Sequence, residues 1–241
     1  MKVVNNVLNY KNLKILQETE MFSFSLDSIL LARFYTPKKS DKLICDFGTN
    51  NGIIPLILSC YTNDDSKIIG VEINTEAAAL AKENLELNKL TNKVEIVNED
   101  IKEFIKNKNN FFDVVYSNPP FFKVNEEPNL NSNPKLSTAR HELTITLDQL
   151  VYAAKVGLKN GGRFLLIHLA ERLDEIIFVL KKHNFAVKRI EVIYSKADQD
   201  AKKVLIEAIN DGNQGLKFLK PLIIHNPDGT YTPEAEELFH D

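Results

Sequence analysis

Short apolar runs alternate with helical patterns from residue 43 onward, and this alternation restricts the possible folds more than any other feature. Predicted strands cover 43–47, 67–72, 93–98, 112–117, 163–168 and 187–194. Predicted helices cover 51–60, 75–88, 101–106, 147–158 and 172–183. Because strands and helices alternate, the sequence predicts an α/β fold with a doubly wound, mainly parallel sheet and right-handed crossovers.

A seventh strand is expected at about 203–210, after only a short polar link from the strand at 187–194. So short a link favours a hairpin, which makes the last strand antiparallel and places it at the sheet edge. Thr146 and Gln149 have the spacing of a capping box, which predicts where the fourth helix begins. The segment 159–162 is expected to stop that helix and form a tight turn.

The first 40 residues are predicted to be an N-terminal extension, with the main domain at 41–241. Leu26, Ile29, Leu30 and Phe34 follow helical spacing, with Ser25 in the N-cap position. The segment 123–140 is rich in Asn, Pro and Ser, and we expect it to be a lid over the substrate.

Composition indicates an ordinary soluble globule, with 44% hydrophobic and 26% charged residues. There is no run of eighteen apolar residues and no signal-peptide core, so a cytoplasmic location without membrane contact is expected. The two cysteines, Cys45 and Cys60, do not suggest a metal site or a disulfide framework. A monomer is favoured.

The net charge of −3 argues against a dominant non-specific nucleic-acid field, although local basic patches can still bind phosphates. For each candidate patch, a solvated face is the favoured interpretation. The candidates are Lys38-Lys39 with Lys42, Lys181-Lys182-His183 with Lys188-Arg189, and Lys202-Lys203.

Asn118-Pro119-Pro120-Phe121 directly follows the strand at 112–117. Two prolines make a stiff turn, located where parallel sheets bind ligands. An amide oxygen and a backbone carbonyl there can accept hydrogen bonds from a flat amino group while the ring stacks on its plane. The turn indicates an enzyme acting on the exocyclic nitrogen of a nucleobase or on a side-chain amide. The alternative is a structural turn with a core Phe.

A glycine turn, Gly48-Thr49-Asn50-Asn51-Gly52, joins the first strand to a helix and predicts a loop whose N–H groups face a nucleotide-type ligand. Asn50 and Asn51 tolerate left-handed backbone conformations. Glu72 ends the second strand, where it can accept hydrogen bonds from both ribose hydroxyls. Asp100 follows the third strand and could accept from an adenine amino group. Each acid alone can also be a solvated helix cap.

The spacing Asp46-x-Gly48-x-x-x-Gly52, then Glu72, Asp100 and Asn118-Pro119-Pro120-Phe121, closely resembles class I S-adenosylmethionine-dependent methyltransferases that act on amino groups. More narrowly, the chain resembles the bacterial tRNA(Val) adenine-N6 methyltransferase family, whose members modify adenine 37. The segments 22–32, 138–142, 205–207 and 220–224 carry the narrower resemblance.

The resemblance implies a Rossmann-like, seven-stranded sheet, S-adenosylmethionine as cofactor, tRNA as partner and no metal. It implies catalytic roles for Asn118, Pro119, Pro120 and Phe121. The cofactor-binding residues implied are Asp46, Gly48, Asn50, Gly52, Glu72, Ile73, Asp100, Ile101 and Asn118. The substrate-binding residues implied are Phe121, Phe122, Arg140 and His141.

The chain departs from the family pattern at two positions. Asn50 stands where the family usually has glycine, which could alter the loop. Leu169 stands where relatives often have a basic residue, so an RNA contact expected there is in doubt.

Other functions are compatible with parts of this pattern. A glutamine-N5 methyltransferase acting on release factors uses similar Asn-Pro-Pro chemistry, but usually with Tyr after the prolines and a separate helical N-terminal domain. Guanine-N2 methylation of rRNA follows the same amino-group logic. A non-catalytic RNA-binding protein could retain the fold. A nicotinamide dehydrogenase would account for Glu72, but neither for the missing third glycine nor for the Asn-Pro-Pro-Phe turn.

Overall fold

The computed structural model describes residues 2–10, 13–18, 25–121 and 145–240. The strands are β1 (Lys2–Asn6), β2 (Lys14–Glu18), β3 (Leu43–Phe47), β4 (Lys67–Glu72), β5 (Val94–Asn98), β6 (Phe112–Ser117), β7 (Leu158–Leu169), β8 (Phe185–Tyr194), β9 (Ala201–Asn210), β10 (Lys217–Phe218) and β11 (Leu222–Ile223). The helices are α1 (Leu26–Phe34), α2 (Ile53–Ser59), α3 (Thr75–Leu87), α4 (Ile101–Phe104), α5 (Leu147–Gly157), α6 (Leu173–Lys182) and α7 (Pro233–Glu236).

The main sheet has the strand order β10-β8-β9-β7-β6-β3-β4-β5, and β11 also pairs with β8. Strands β5, β4, β3, β6 and β7 are mutually parallel. The predicted mainly parallel sheet and its seven strands are confirmed, and two two-residue strands extend it beyond β8. Since β3 lies at the centre of these five parallel strands, its carboxyl end is the switch point at which such sheets bind ligands.

The predicted β8–β9 hairpin is confirmed, but the expected edge position of the last strand is wrong. β9 lies between β7 and β8 and is antiparallel to both. Its residues 204–208 are buried without interruption, whereas β8 alternates between buried and half-exposed positions. An uninterrupted buried run needs cover on both faces, which favours an internal strand over an edge strand.

The capping box at the start of α5 is confirmed, because the Thr146 hydroxyl accepts from the Gln149 amide and the Gln149 side chain accepts from Thr146 N. The helix ends at Gly157, and β7 begins with the next residue. The predicted turn at 159–162 is an irregularity inside this long strand. Gly161 has a φ of +77°, and the register with β6 shifts between Phe112 and Val114.

The chain before β3 forms the antiparallel hairpin β1–β2 and helix α1. Ser25 occupies the predicted N-cap position of α1, but its side chain makes no capping hydrogen bond. Ile15 of the hairpin and Ile29 of α1 belong to the same buried cluster as Ile44 of β3. The division at residue 40 stays a prediction, and this cluster packs across it.

The core lies on both faces of the sheet. One cluster packs α1, α2 and α3 on residues such as Ile44, and the other packs α5 and α6 on residues such as Cys45 and Phe47. In the described part of the chain, no helix is long and apolar enough to span a bilayer. The same residues hold no group of three or more His, Cys, Asp or Glu side chains placed for a metal ion.

Candidate active site

A cavity of about 490 Å³ opens at the carboxyl ends of β3, β4, β5 and β6. It brings together most of the residues that the sequence identified separately. Those that line it are Gly48, Asn50, Glu72, Ile73, Asp100, Ile101, Asn118, Pro119, Pro120 and Phe121. Helix α1 closes one side of the cavity with Asp27 and Ser28.

The glycine turn uses left-handed backbone at three positions. The φ angles are +75° at Gly48, +51° at Asn50 and +83° at Gly52. The expectation that Asn50 tolerates a glycine conformation is therefore confirmed, and the first departure from the family pattern leaves the turn intact. Gly52 also has a packing role, because a Cβ there would lie 3.3 Å from the Cβ of Ala81 on α3.

Glu72 connects this turn to β4. Its Oε2 accepts from the amide of Asn50 and its Oε1 from the amide of Asn74, both at 2.8 Å. Burial raises the pKa of this carboxyl, while the amides of Asn74, Asn50 and Ile73 oppose the rise. Each carboxylate oxygen has two lone pairs, so Glu72 can accept a hydrogen bond from a ligand in addition to those from the backbone.

Asp46 lies beneath the turn rather than in the cavity wall. Its side chain is fully buried, and neither carboxylate oxygen has a hydrogen-bond partner among the described residues. Burial, reinforced by the charge of Glu72 and opposed by the neighbouring Thr49 hydroxyl, raises the pKa of Asp46 to about 7. The structure therefore does not place this predicted cofactor ligand, or Gly52, against the cavity.

Asp100 is compatible with both interpretations from the sequence, a cofactor-binding acid and a helix cap, because it lines the cavity and also caps α4. Its Oδ1 accepts from the amide of Lys102 at 2.7 Å, and its Oδ2 lies 3.2 Å from the ammonium of Lys102. Ile73, which is 39% exposed, and Ile101 add apolar surface to the same wall. This part of the cavity can hold a flat ring with a polar edge.

Asn118 has its side chain oriented by α1, a contact that the sequence did not indicate. Its Nδ2 donates to Ser28 Oγ at 3.0 Å. Since the amide plane is rigid, this bond fixes the direction of Oδ1 as well. Nearby, Ser117 Oγ donates to the carbonyl of Phe47 at 3.0 Å and joins the ends of β6 and β3.

Phe121 is surrounded by charged and aromatic groups at the cavity mouth. The ammonium of Lys203 lies 3.3 Å from the ring centroid, and 2.7 Å from the carboxylate of Asp27. The His168 ring packs against Phe121 with its centroid 5.2 Å away. Burial, and then the charge of Arg172, lower the pKa of His168 to about 4, so its ring is neutral at pH 7.

Lys203 also bears on the second departure from the family pattern. Leu169 of β7 is the direct cross-strand partner of Lys203 of β9. Side chains directly opposite on paired strands share one face of the sheet. Lys203 therefore places a cation on the face of the sheet that Leu169 shares, beside Phe121.

Some side chains in two of the other predicted basic patches are paired with acids. Lys42 pairs with Asp65, both Lys182 and His183 pair with Asp148, and Arg189 pairs with Glu207. Phe122, Arg140, His141 and the expected lid at 123–140 lie outside the described residues.

Comparison with known proteins gives consistent results. A family model described as "Methyltransferase small domain" matches residues 12–190. A tRNA1(Val) (adenine(37)-N6)-methyltransferase from Photorhabdus laumondii is 30% identical over 218 residues, covering 89% of this chain and 86% of that protein. One of the same name from Porphyromonas gingivalis is 28% identical, covering 97% and 93%.

A solved structure supports the same fold. A predicted O-methyltransferase from Agrobacterium tumefaciens matches with a TM-score of 0.70 and 22% identity, covering 88% of this chain and 95% of that one. The chain belongs to the methyltransferase small domain family, within the group of the bacterial tRNA1(Val) adenine-N6 methyltransferases.

Proposed function

We propose that the protein transfers a methyl group from S-adenosylmethionine to the exocyclic N6 amine of an adenine in tRNA. The observation that carries this proposal is the Asn118 side chain, held by Ser28 at the end of β6 beside two prolines and Phe121. The names of the relatives specify adenine 37 of tRNA1(Val), and we take this as the expected nucleotide.

The cavity has groups that suit each part of the cofactor. The carboxylate of Glu72 suits the ribose hydroxyls, and Asp100 suits the adenine amino group. Ile73 and Ile101 would flank the adenine ring. The buried Thr49 hydroxyl, next to the Asp46 carboxyl, adds a polar group at the glycine turn. When bound, the cofactor supplies a methyl group activated by a sulfonium.

The amine of adenine is a poor nucleophile because its lone pair is delocalised into the ring. Oδ1 of Asn118 and the carbonyl of Pro119 would accept hydrogen bonds from its two N–H groups. These bonds hold the nitrogen in an orientation in which the lone pair can react, and they stabilise the positive charge that develops on it. No general base is needed, because the alkylated amine is acidic enough to release its proton to water.

Phe121 would stack on the target base, a contact worth about 1–3 kcal/mol. The ammonium of Lys203 already lies over one face of the ring, so the base would use the opposite face. The base has to leave its stack before it can enter the cavity, and the unpaired loop of a tRNA makes this step inexpensive. Much of the remaining rate enhancement would come from positioning.

Other expectations from the sequence stay proposals. We expect the protein to act as a monomer in the cytoplasm, with residues 1–40 as an extension of the methyltransferase domain at 41–241.

The substrate class can be tested by offering tritium-labelled S-adenosylmethionine with unmodified total tRNA, purified release factor and rRNA in parallel reactions. The proposal predicts label in the tRNA alone. Label in the release factor would favour the glutamine-N5 reaction, and label in rRNA would favour the guanine reaction. Cofactor binding without any transfer would favour a non-catalytic RNA-binding protein.

A further inference from the structure

The β1–β2 hairpin is attached to α3 by two asparagine side chains. Asn84 Oδ1 accepts from the amide of Leu16 at 2.6 Å, and its Nδ2 donates to the carbonyl of the same residue at 3.1 Å. Asn88, just after α3, does the same for Lys14, at 2.9 and 2.7 Å. The outer edge of β2 is thus paired with side-chain amides rather than with another strand.

The spacing of the two asparagines explains why this pairing fits. Four residues of an α-helix rise about 6 Å, and two residues of a strand rise about 6.7 Å. Asn84 and Asn88 therefore meet every second residue of β2, where the backbone groups point to the same side. A salt bridge between Lys2 of β1 and Glu83 of α3, 2.6 Å long, adds another contact between the hairpin and the helix.

Asn84 has one further contact, and it leads into the cofactor site. Its Nδ2 also donates to the carbonyl of Asn51 in the glycine turn, at 2.9 Å. The side chain is fully buried, so both of its donors are used by protein carbonyls and water cannot replace them. One amide group therefore holds the hairpin and the glycine turn together.

Asn50, which precedes Asn51 in the turn, donates a hydrogen bond from its backbone amide to Glu72. Without Asn84, the Asn51 carbonyl would lose this buried donor. The left-handed backbone of Asn50, which directs the Asn50 amide toward Glu72, would then be held less firmly. By contrast, the cavity wall contains none of the described hairpin residues; its most N-terminal member is Ser25. The described residues of the hairpin therefore act on the cofactor site through α3 and the glycine turn.

We propose that Asn84 is a positioning residue for the cofactor, through which the N-terminal hairpin preorganises the glycine turn. Such coupling is reciprocal: if the hairpin favours cofactor binding, a bound cofactor stabilises the hairpin to the same extent. The hairpin is then a part of the cofactor site that makes no contact with the ligand.

The proposal is tested by comparing Asn84→Ala with Asn88→Ala, using S-adenosylhomocysteine as a stable probe and calorimetry well below the melting temperature of each variant. Both substitutions remove side-chain hydrogen bonds to the backbone of β2, but only Asn84→Ala also removes the hydrogen bond to the Asn51 carbonyl in the glycine turn. We expect Asn84→Ala to raise the Kd of the probe about tenfold, the effect of losing one buried hydrogen bond. Asn88→Ala should change it less than about twofold. Equal Kd values for the two variants would overturn the proposal.

Hydrogen exchange gives a second measurement that does not depend on activity. In the wild type, the probe should slow amide exchange in residues 14–18, which lie outside the cavity. In Asn84→Ala this protection should disappear, whereas in Asn88→Ala it should persist. Ligand-independent exchange at 14–18 in the wild type would contradict the coupling. If Asn84→Ala does not fold, Leu16→Pro removes the same hairpin contact from the other side, with Lys14→Pro as its matched control.

Discussion

At the scale of single residues, function depends on which acceptors are left free to bind a ligand. Glu72 accepts from Asn50 in the glycine turn and from Asn74 before α3, and its remaining lone pairs serve the cavity. Asn118 uses its donor on Ser28, which leaves its carbonyl oxygen for the substrate. These two residues therefore serve different ligands, and their substitutions should have different effects.

Asn118→Ala should lower kcat by about 10²–10³-fold, the usual cost of losing one hydrogen bond that strengthens in the transition state. The Kd for the cofactor should stay nearly unchanged. Glu72→Ala is the matched control and should do the reverse, weakening cofactor binding strongly. Steady-state kinetics together with calorimetry distinguish the two. Unchanged turnover in Asn118→Ala would contradict the proposed mechanism.

The buried carboxyl of Asp46 predicts a pH-dependent stability. Its pKa is about 7 in the folded protein, against about 4 in an unfolded chain. Between these values the native state binds more protons, so the free energy of unfolding falls as pH rises. Asp46→Asn removes this loss. Urea unfolding without cofactor should show the variant gaining stability over the wild type from pH 5 to pH 8. A difference independent of pH would refute the assignment.

Much of the residue-level site could be predicted because its members follow strands directly. Parallel strands bring their carboxyl ends together, and the site residues lie at those ends. They are the glycine turn, Glu72, Asp100 and Asn118. Ser28 and Lys203 could not be found in this way. They reach the site from α1 and β9, whose positions depend on tertiary packing rather than on the order of strands along the chain.

At the scale of elements, strand β4 packs closely against the glycine turn. Gly70 of β4 lies under Thr49, and a Cβ there would be 2.8 Å from the Thr49 side chain and 2.9 Å from Ile96 Cδ1. The close approach of strand and turn depends on this glycine. It gives a way to disturb the turn without changing any residue of the cavity wall.

Gly70→Ala should destabilise the protein by about 1–3 kcal/mol, as overpacking commonly does, and should also weaken cofactor binding. Ile68→Val on the same strand is the control, because it costs about 0.5–1.5 kcal/mol without touching the turn. Thermal unfolding and cofactor Kd are measured for both. If the two variants bind the cofactor equally well, β4 does not support the turn in this way.

Strand β9 provides a matched pair of neighbouring lysines that differ in their surroundings. Lys203 lies over Phe121, whereas Lys202 is exposed. Lys203→Met should raise the KM for tRNA several-fold and leave the cofactor Kd unchanged. Lys202→Met should have little effect on either. Equal KM values for the two variants would remove Lys203 from the substrate site.

The same strand shows where sequence patterns reach their limit. The hairpin could be predicted from the short link before β9, but its order in the sheet could not. The structure buries the continuous apolar run Val204-Leu205-Ile206 completely, as an internal strand requires. The short link favours an edge position for β9, whereas its burial on both faces goes with the internal position that the structure shows.

At the scale of the whole molecule, the protein combines a net charge of −3 with a proposed polyanionic partner. Several described cations outside the site are paired with acids, including Lys42, Lys182 and Arg189. Recognition of tRNA should therefore depend on a few groups near the cavity mouth rather than on a general field.

The most direct test of the account is to incubate the protein with S-adenosylmethionine and unmodified tRNA1(Val), digest the RNA and identify the product by mass spectrometry. The account predicts N6-methyladenosine at position 37, and none from a transcript with guanine at that position or from the Asn118→Ala variant. A methyl group on a ring nitrogen or on a ribose would contradict it, because Asn118 and Pro119 are arranged to hold an exocyclic amine.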